Sequence, residues 1–173
     1  EIMPSLVGSE MCIRDRDDFE QADAIFIFGQ NPGTNHPRML GELRQAAKRG
    51  ARIVSLNPLR ERGLERFADP QDKLEMATLG DTPISTHYFQ LKIGGDFAFV
   101  KGMMKHLVAL HDAGEEVLDL AFITEHTTGV EGLLDDLRAE SWALLEAEAG
   151  LGADHMRAAA EVCLLYTSPS PRD

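Results

Sequence analysis

The fold is decided by residues 24–38, which read AIFIFGQNPGTNHPR. The apolar run that opens this stretch predicts a strand over 22–29, buried on both faces as in a parallel sheet. The remaining ten residues contain two glycines, two prolines and two asparagines, which predict a loop. Pro37 favours a helix start, with Asn35 just before it as the predicted N-cap. A strand, a polar loop and a helix N-terminus together form the geometry that binds phosphate.

One more segment of this kind follows, and a second strand that ends in a turn at Asn57 lies between the two. A helix is predicted over 38–49 and ends at Gly50, and a second buried strand is predicted over 51–56. A third strand over 88–93 ends at Gly94 and Gly95, and Asp96 is placed to cap a helix over 97–111. A strand–helix–strand crossover makes the strands parallel, so we expect all three carboxyl ends at one edge of the sheet, where open α/β folds bind ligands.

The rest of the chain has weaker patterns. Residues 61–86 are predicted to be mostly irregular, with a short helix near 73–77. Beyond the third strand, we predict helices over 118–123, 130–148 and 154–162, with a turn over 125–129. The predicted fold class is α/β: a Rossmann-like, three-layer domain with a parallel sheet and additional C-terminal helices.

Composition limits the function. A formal charge of −12 over 173 residues argues against nucleic acid as a partner, and no apolar run is long enough to cross a membrane. We therefore expect a cytoplasmic protein. No histidines are spaced as a metal site, and no serine or cysteine stands in the setting of a nucleophile, so neither a metal ligand nor a catalytic residue is predicted.

The two ends differ from the middle. Residues 1–16 and 163–173 resemble translated adapter or cloning sequence, and the alternative is a pair of disordered tails. Both cysteines, Cys12 and Cys163, lie in these ends. We therefore expect the domain over 17–162 to contain no disulfide, no cysteine-ligated zinc and no iron–sulfur cluster.

Two sites have alternative interpretations. The loop at 29–38 lacks the three glycines of a dinucleotide fingerprint, and the second strand ends in neutral Asn57, so NAD is disfavoured. Asn31, Thr34 and Asn35 could bind a phosphate or could form an elaborate turn. Asp96 could be an N-cap, or its carboxylate could accept the two adjacent donors of guanine.

Four motifs carry a resemblance to a known family. They are GQNPGTNHPR at 29–38, GARIVSLNPLRE at 50–61, GGD at 94–96 and AFITEHTTG at 121–129. With these motifs, residues 17–162 resemble the molybdopterin-dependent oxidoreductases, most of all the branch that is similar to the formate dehydrogenase alpha subunit.

The resemblance implies one cofactor-binding domain of a larger enzyme, inactive alone. The implied cofactor is molybdenum (or tungsten) held by two molybdopterin guanine dinucleotides, with any 4Fe-4S cluster in a preceding part of the parent. The implied partners are the other domains of that subunit, and the substrate is unknown. The implied site residues are Gln30, Asn31, Thr34 and Asn35 in the first loop, Asn57 and Arg60 after the second strand, and Gly94 and Asp96 at the guanine turn. Asn57 and Leu59 depart from the family pattern of Asp and Arg.

Two other hypotheses stay open at this point. The chain could be a stand-alone module that binds a nucleotide or phosphosugar at the same edge of the sheet. It could also be a non-functional fragment, with apolar helix faces that other domains should cover.

Overall fold

The structure is a computed structural model that describes residues 19–68 and 80–164. The chain divides into two compact units, Glu1–Phe89 and Gln90–Asp173. The helix predicted near 73–77 lies outside the described residues. Elements of the first unit are β1 (Ala24–Phe28), α1 (Pro32–Asn35), α2 (Pro37–Arg49), β2 (Arg52–Leu56), α3 (Arg62–Glu65), β3 (Arg66–Phe67), β4 (Thr82–Pro83) and β5 (His87–Phe89).

The first unit is built on a parallel sheet with the order β1-β2-β5. The register pairs Phe28 with Leu56 and Leu56 with Phe89. All three strands therefore end at the same edge of the sheet, as the sequence predicted. The α/β class is confirmed, although β5 is shorter than the predicted strand over 88–93.

The helix α2 begins and ends where its sequence predicts. Pro37 is its first residue, where the missing N–H is not needed. Gly50 ends it in the left-handed conformation, with a φ of 96° that a side chain would disfavour. Leu40, Leu43 and Ala46 are buried in one apolar cluster with strand and loop residues, including Ile27 and Ile53. This face of α2 covers the sheet, which is the packing that a strand–helix–strand crossover requires.

The first strand is less buried than its sequence indicates. In β1 only Ile27 is buried, whereas Ile25 and Phe26 are half-buried and Phe28 is 43% exposed. Our expectation of a strand buried on both faces is wrong for β1, which lies at an edge of the described sheet. It holds for β2, the central strand, in which Ile53 to Leu56 are all buried.

The segment after β2 contains more structure than predicted. A short helix, α3, is followed by β3, which pairs antiparallel with β4. Ser85 follows this ribbon and donates to the Leu64 carbonyl at 2.6 Å, while its hydroxyl lies 2.7 Å from that of Ser55. A buried polar pair of this kind fixes the path of the chain into β5.

Among the described residues, the second unit is helical. Its elements are α4 (Asp96–Asp112), α5 (Leu120–His126), α6 (Val130–Ala139), α7 (Trp142–Ala149) and α8 (Ala153–Leu164). The continuous helix predicted over 130–148 is wrong, because Glu140 is extended (φ −60°, ψ 143°) and divides it into α6 and α7. The turn predicted over 125–129 is shorter, since α5 extends through His126.

Close packing along α4 holds the second unit together. Phe99 is completely buried, and a Cβ on Gly102 would meet the sulfur of Met156 at 2.2 Å. Lys101 of α4 bonds to Glu140 and, at 2.8 Å, to Asp136. These contacts join α4 to α6 and α8, and the absence of a Cβ at Gly102 leaves room for the Met156 side chain of α8.

The single tryptophan, Trp142, is half-buried at the start of α7. The Arg157 guanidinium carbon lies 4.8 Å from the centroid of its ring, and the Lys105 ammonium lies 5.8 Å from it. Both distances are within the range of a cation–π interaction.

No helix within residues 19–68 and 80–164 combines the length and the apolar character that a membrane span needs.

Candidate functional site

The edge of the sheet is extended by backbone hydrogen bonds beyond the strands. The Gly29 N–H donates to the Leu56 carbonyl at 2.8 Å, and the Asn57 N–H donates to the Phe89 carbonyl at 3.1 Å. Since these bonds continue the parallel ladder, the loops that follow β1 and β2 leave the sheet side by side.

The loop after β1 contains the one-turn helix α1, and Asn31 is its N-cap. The Asn31 side-chain oxygen accepts from the Thr34 N–H at 3.1 Å. Our prediction that Asn35 caps the next helix is wrong. Asn35 is the last residue of α1, and the N-cap of α2 is His36, which makes no side-chain capping bond. The Asn31-Pro32 pair starts the turn earlier, because Pro32 can begin a helix as well as Pro37 can.

A chain of hydrogen bonds joins the two edge loops. The Asn31 side-chain nitrogen donates to the Glu61 carboxylate at 2.6 Å. The Glu61 N–H donates to the Tyr88 hydroxyl at 3.0 Å, and that hydroxyl donates to the Leu59 carbonyl at 2.8 Å. Burial raises the pKa of Tyr88 although the Glu61 N–H opposes that shift, so the phenol stays protonated and able to donate.

Asn57 also connects the two loops from a buried position. The residue is 6% exposed, and its side-chain nitrogen donates to the Gln30 carbonyl at 3.4 Å. Its side-chain oxygen accepts from the Leu59 N–H, also at 3.4 Å. The amide groups of Asn31 and Asn57 therefore bind other parts of the protein, and they shape the loops.

Other groups of the first loop face solvent. Thr34 and Asn35 are exposed, and within the described residues their side chains make no hydrogen bond. In the same part of the chain, the backbone N–H groups of Gln30, Gly33 and Arg38 donate to no other group. Hydroxyl, amide and backbone N–H groups that are exposed and unpartnered are suited to binding an anion.

Gln30 and Arg60 have contacts that a ligand could replace. The Gln30 side-chain nitrogen lies 3.3 Å from the His36 ring nitrogen Nδ1. Arg60 pairs with Glu65 at 2.9 Å, and both side chains are substantially exposed. Exposed ion pairs contribute little to stability, at most about 1 kcal/mol, so the guanidinium can turn to another anion at small cost.

The remaining two predicted site residues, Gly94 and Asp96, belong to the second unit. Asp96 is the first residue of α4, and the N-cap is Gly95, so the capping role predicted for Asp96 is wrong. Its carboxylate is half-exposed and forms no hydrogen bond or ion pair with the described residues. A carboxylate with unused acceptor positions at a helix N-terminus is suited to a ligand that donates hydrogen bonds.

The glycines before Asp96 have separate structural roles. Gly94 has a φ of 80°, which is strained for any residue with a side chain. A Cβ on Gly95 would lie 2.9 Å from backbone atoms of Glu148 and Ala149. The close approach at Gly95 is therefore made by α7.

Sequence reasoning missed Glu61 and Tyr88. Glu61 directly follows the NPLR loop, so its position beside the edge could have been inferred. The signal for Tyr88 was its place in a short strand that ends at the edge, because a part-buried tyrosine hydroxyl usually has a hydrogen-bond partner. The described residues contain no group of three or more His, Cys, Asp or Glu side chains arranged to hold a metal.

Comparison with known proteins identifies several relatives. The chain is 45% identical to protein YdeP of Escherichia coli over 140 residues, which are 78% of this chain and 18% of that protein. It is 43% identical to an uncharacterized oxidoreductase of Mycobacterium bovis over 116 residues, which are 66% of this chain and 15% of that protein. It is 26% identical to formate dehydrogenase H of Escherichia coli over 145 residues, 84% of this chain and 17% of that enzyme. The chain thus spans less than a fifth of these relatives.

A solved structure has a similar fold. Acetylene hydratase from Pelobacter acetylenicus matches 88% of this chain and 18% of its own chain, with a TM-score of 0.64 and 21% identity. No family model matches the chain. The relatives nevertheless confirm the resemblance that the four sequence motifs indicated.

Proposed function

We propose that this chain, which is related to oxidoreductases of the molybdopterin type, forms part of the cofactor-binding domain of a longer enzyme subunit. Its specific role would be to hold the guanine dinucleotide portion of one molybdopterin guanine dinucleotide. The other domains of the subunit would be its partners, and they would complete the enzyme. The coverage of relatives, less than a fifth of their length, supports a domain of a longer protein.

The observation that carries the proposal is the parallel sheet edge in the first unit. The strands β1, β2 and β5 end in register, and the first two continue into polar loops that are hydrogen-bonded to each other. In open α/β folds, the carboxyl edge of the sheet is where nucleotides bind. Two of the relatives are named as an oxidoreductase and a formate dehydrogenase, which favours a nucleotide that belongs to a redox cofactor.

The polar groups without a partner at this edge fit a diphosphate. Thr34, Asn35 and the N–H groups of Gln30 and Gly33 would bind the phosphate oxygens, and Arg60 would add a positive charge. Asn31 and Asn57 would act through the loop conformation that they set, because their side chains bond to Glu61 and to the Gln30 carbonyl. When bound, the cofactor supplies the two-electron chemistry of the metal, while this chain binds and orients it.

The second unit would contribute guanine recognition through Asp96. Its carboxylate can accept both the N1–H and the 2-amino group of guanine in one bidentate pair. Gly94 keeps the preceding turn in its left-handed conformation, which places the start of α4. In the same region Ile93 and Phe97 are 87% and 76% exposed, which supports a contact with other domains of the parent.

The proposal is tested by substituting Asp96→Asn in the full-length protein. The asparagine amide has one acceptor oxygen, and its NH₂ group would face the guanine donors. We therefore expect cofactor affinity to fall about fivefold or more, the usual worth of a bidentate contact to a base. Guanine dinucleotide content per subunit, measured by mass spectrometry after limited cofactor supply, reports the loss.

Asp154→Asn is the matched control. Asp154 is also an acid in the first turn of a helix of the second unit, and its partner Arg157 is on the same helix. Both substitutions remove a charge that favours a helix N-terminus. If the two variants retain the same guanine dinucleotide content as the wild type, Asp96 does not bind guanine. The proposed function then has no residue that recognises the guanine base.

A further inference from the structure

We infer that Glu61 is a positioning residue that sets the conformation of the α1 loop, and so the direction of its exposed N–H groups. The inference rests on the proposed function, because it assigns those N–H groups to the cofactor. Glu61 lies 30 residues from Asn31 in the chain, yet its carboxylate accepts the Asn31 amide at 2.6 Å. A hydrogen bond to a charged acceptor is among the stronger contacts a loop can make.

The contact is supported by close backbone packing. Glu61 precedes α3, and a Cβ on Gly63 would meet the Gly33 backbone at 3.3 Å. Within α1, a Cβ on Gly33 would meet the Asn31 side-chain oxygen at the same distance. The two short helices are therefore in contact, and the Asn31–Glu61 bond fixes one of them relative to the other.

Glu61 is itself held from three directions. Its N–H donates to the Tyr88 hydroxyl, and its carbonyl accepts from Leu64 at 2.9 Å and from Glu65 at 3.2 Å. Because Tyr88 belongs to β5, its hydrogen bond fixes the position of Glu61 relative to the sheet. The resulting path is β5, Tyr88, Glu61, Asn31 and the Thr34 N–H, and each step is a hydrogen bond of 3.1 Å or less.

In this path Glu61 acts as a hydrogen-bond acceptor, and its negative charge is not what the role requires. The carboxylate is negative and lies beside a loop that we assign to a diphosphate, so charge alone would disfavour binding. Its use as an acceptor explains why an acid is tolerated there. A glutamine could still accept from Asn31, whereas an alanine could not.

The experiment compares Glu61→Ala, Glu61→Gln and Tyr88→Phe in the full-length protein. Hydrogen exchange of the amides of Thr34, Asn35 and His36, which are hydrogen-bonded within the loop, measures loop opening. Guanine dinucleotide content measures binding. We expect Glu61→Ala to speed exchange about tenfold, as one lost charge-assisted bond allows, and to lower the cofactor content. Glu61→Gln should restore both values to near those of the wild type. Tyr88→Phe, which keeps the carboxylate and removes only the hydroxyl, should lie between them.

Two results would overturn the inference. One is unchanged amide exchange at residues 34–36 in the alanine variant. The other is faster exchange with unchanged cofactor content, in a preparation where Asp96→Asn does lower that content. If neither Glu61→Ala nor Asp96→Asn changes the content, the proposed function fails, and the exchange data alone then decide whether Glu61 positions the loop. Exchange in β2 and α2 shows that each variant is folded, and Tyr88→Phe provides the test if Glu61→Ala is not.

Discussion

The two units use polar side chains differently. In the first unit, Asn31, Asn57 and Glu61 join two loops at one edge of a sheet and leave other donors of those loops exposed. In the second unit, Lys101 and Arg138 join helices to each other, through Glu140 and Asp112 respectively. The comparison suggests that polar contacts shape a binding surface in the first unit and fix helix packing in the second.

The largest expected effect comes from the apolar cores, on which both units depend. Phe99→Ala in the second unit should lower the free energy of unfolding by about 3–5 kcal/mol, because the ring is completely buried. Leu43→Ala in the first unit, also completely buried, should cost about 2–5 kcal/mol. Urea denaturation measures both. A loss below 1 kcal/mol at either site would mean that the described packing is absent in solution.

The next largest effect is expected at a tightly packed glycine of the second unit. Gly95→Ala places a Cβ against the backbone of α7, which cannot rotate away, and should cost about 1–3 kcal/mol. Gly132→Ala is the control, since it lies within α6 with no neighbour within 4 Å. That substitution should stabilise the helix by about 0.5–1 kcal/mol. Equal destabilisation by both would show that α7 does not approach Gly95.

A smaller effect separates the two asparagines of the first loop. Asn31→Ala removes both the cap of α1 and the bond to Glu61, and should cost about 1 kcal/mol. Asn35→Ala removes a side chain with no hydrogen bond in the described part of the protein and should change stability by less than about 0.5 kcal/mol. The midpoints of urea denaturation of the two variants measure these two losses of stability. The reverse order would restore Asn35 as a cap.

The smallest effect is a pH dependence in the second unit. Hydrogen bonding from Lys101 lowers the pKa of Glu140, and bonding from Arg138 lowers that of Asp112. A carboxyl whose pKa is lower in the folded protein stabilises it above the ordinary value, and that stabilisation is lost as the pH falls through the lowered pKa. Stability should therefore fall on acidification below about pH 4.5. In Glu140→Gln the fall, followed by urea midpoints, should be shallower than in the wild type; an identical profile would contradict the assignment.

The sheet could be predicted from sequence because local patterns determine it. The apolar runs that end before Gly29 and Asn57 each predict a strand. Pro37 and Gly50 predict the start and the end of the helix between them. Parallel pairing follows from the crossover, and the common edge of the loops follows from parallel pairing.

What could not be predicted depends on contacts between distant residues. The periodicity of 130–148 suits one helix, and nothing local shows that Glu140 leaves it to meet Lys101. The cap at Asn31 depends on the turn beginning at Pro32, while Pro37 gave an equally good signal. The contact from Asn31 to Glu61 spans 30 residues, and neither residue type identifies its partner.

The position of Trp142 has a practical consequence for such experiments. It is the chain's only indole, so fluorescence excited at wavelengths that tyrosine does not absorb comes entirely from the second unit. Two cations adjoin its ring, and their departure on unfolding should change the emission. Tryptophan fluorescence therefore reports on the second unit alone, and the rate at which that unit unfolds can be measured without a label.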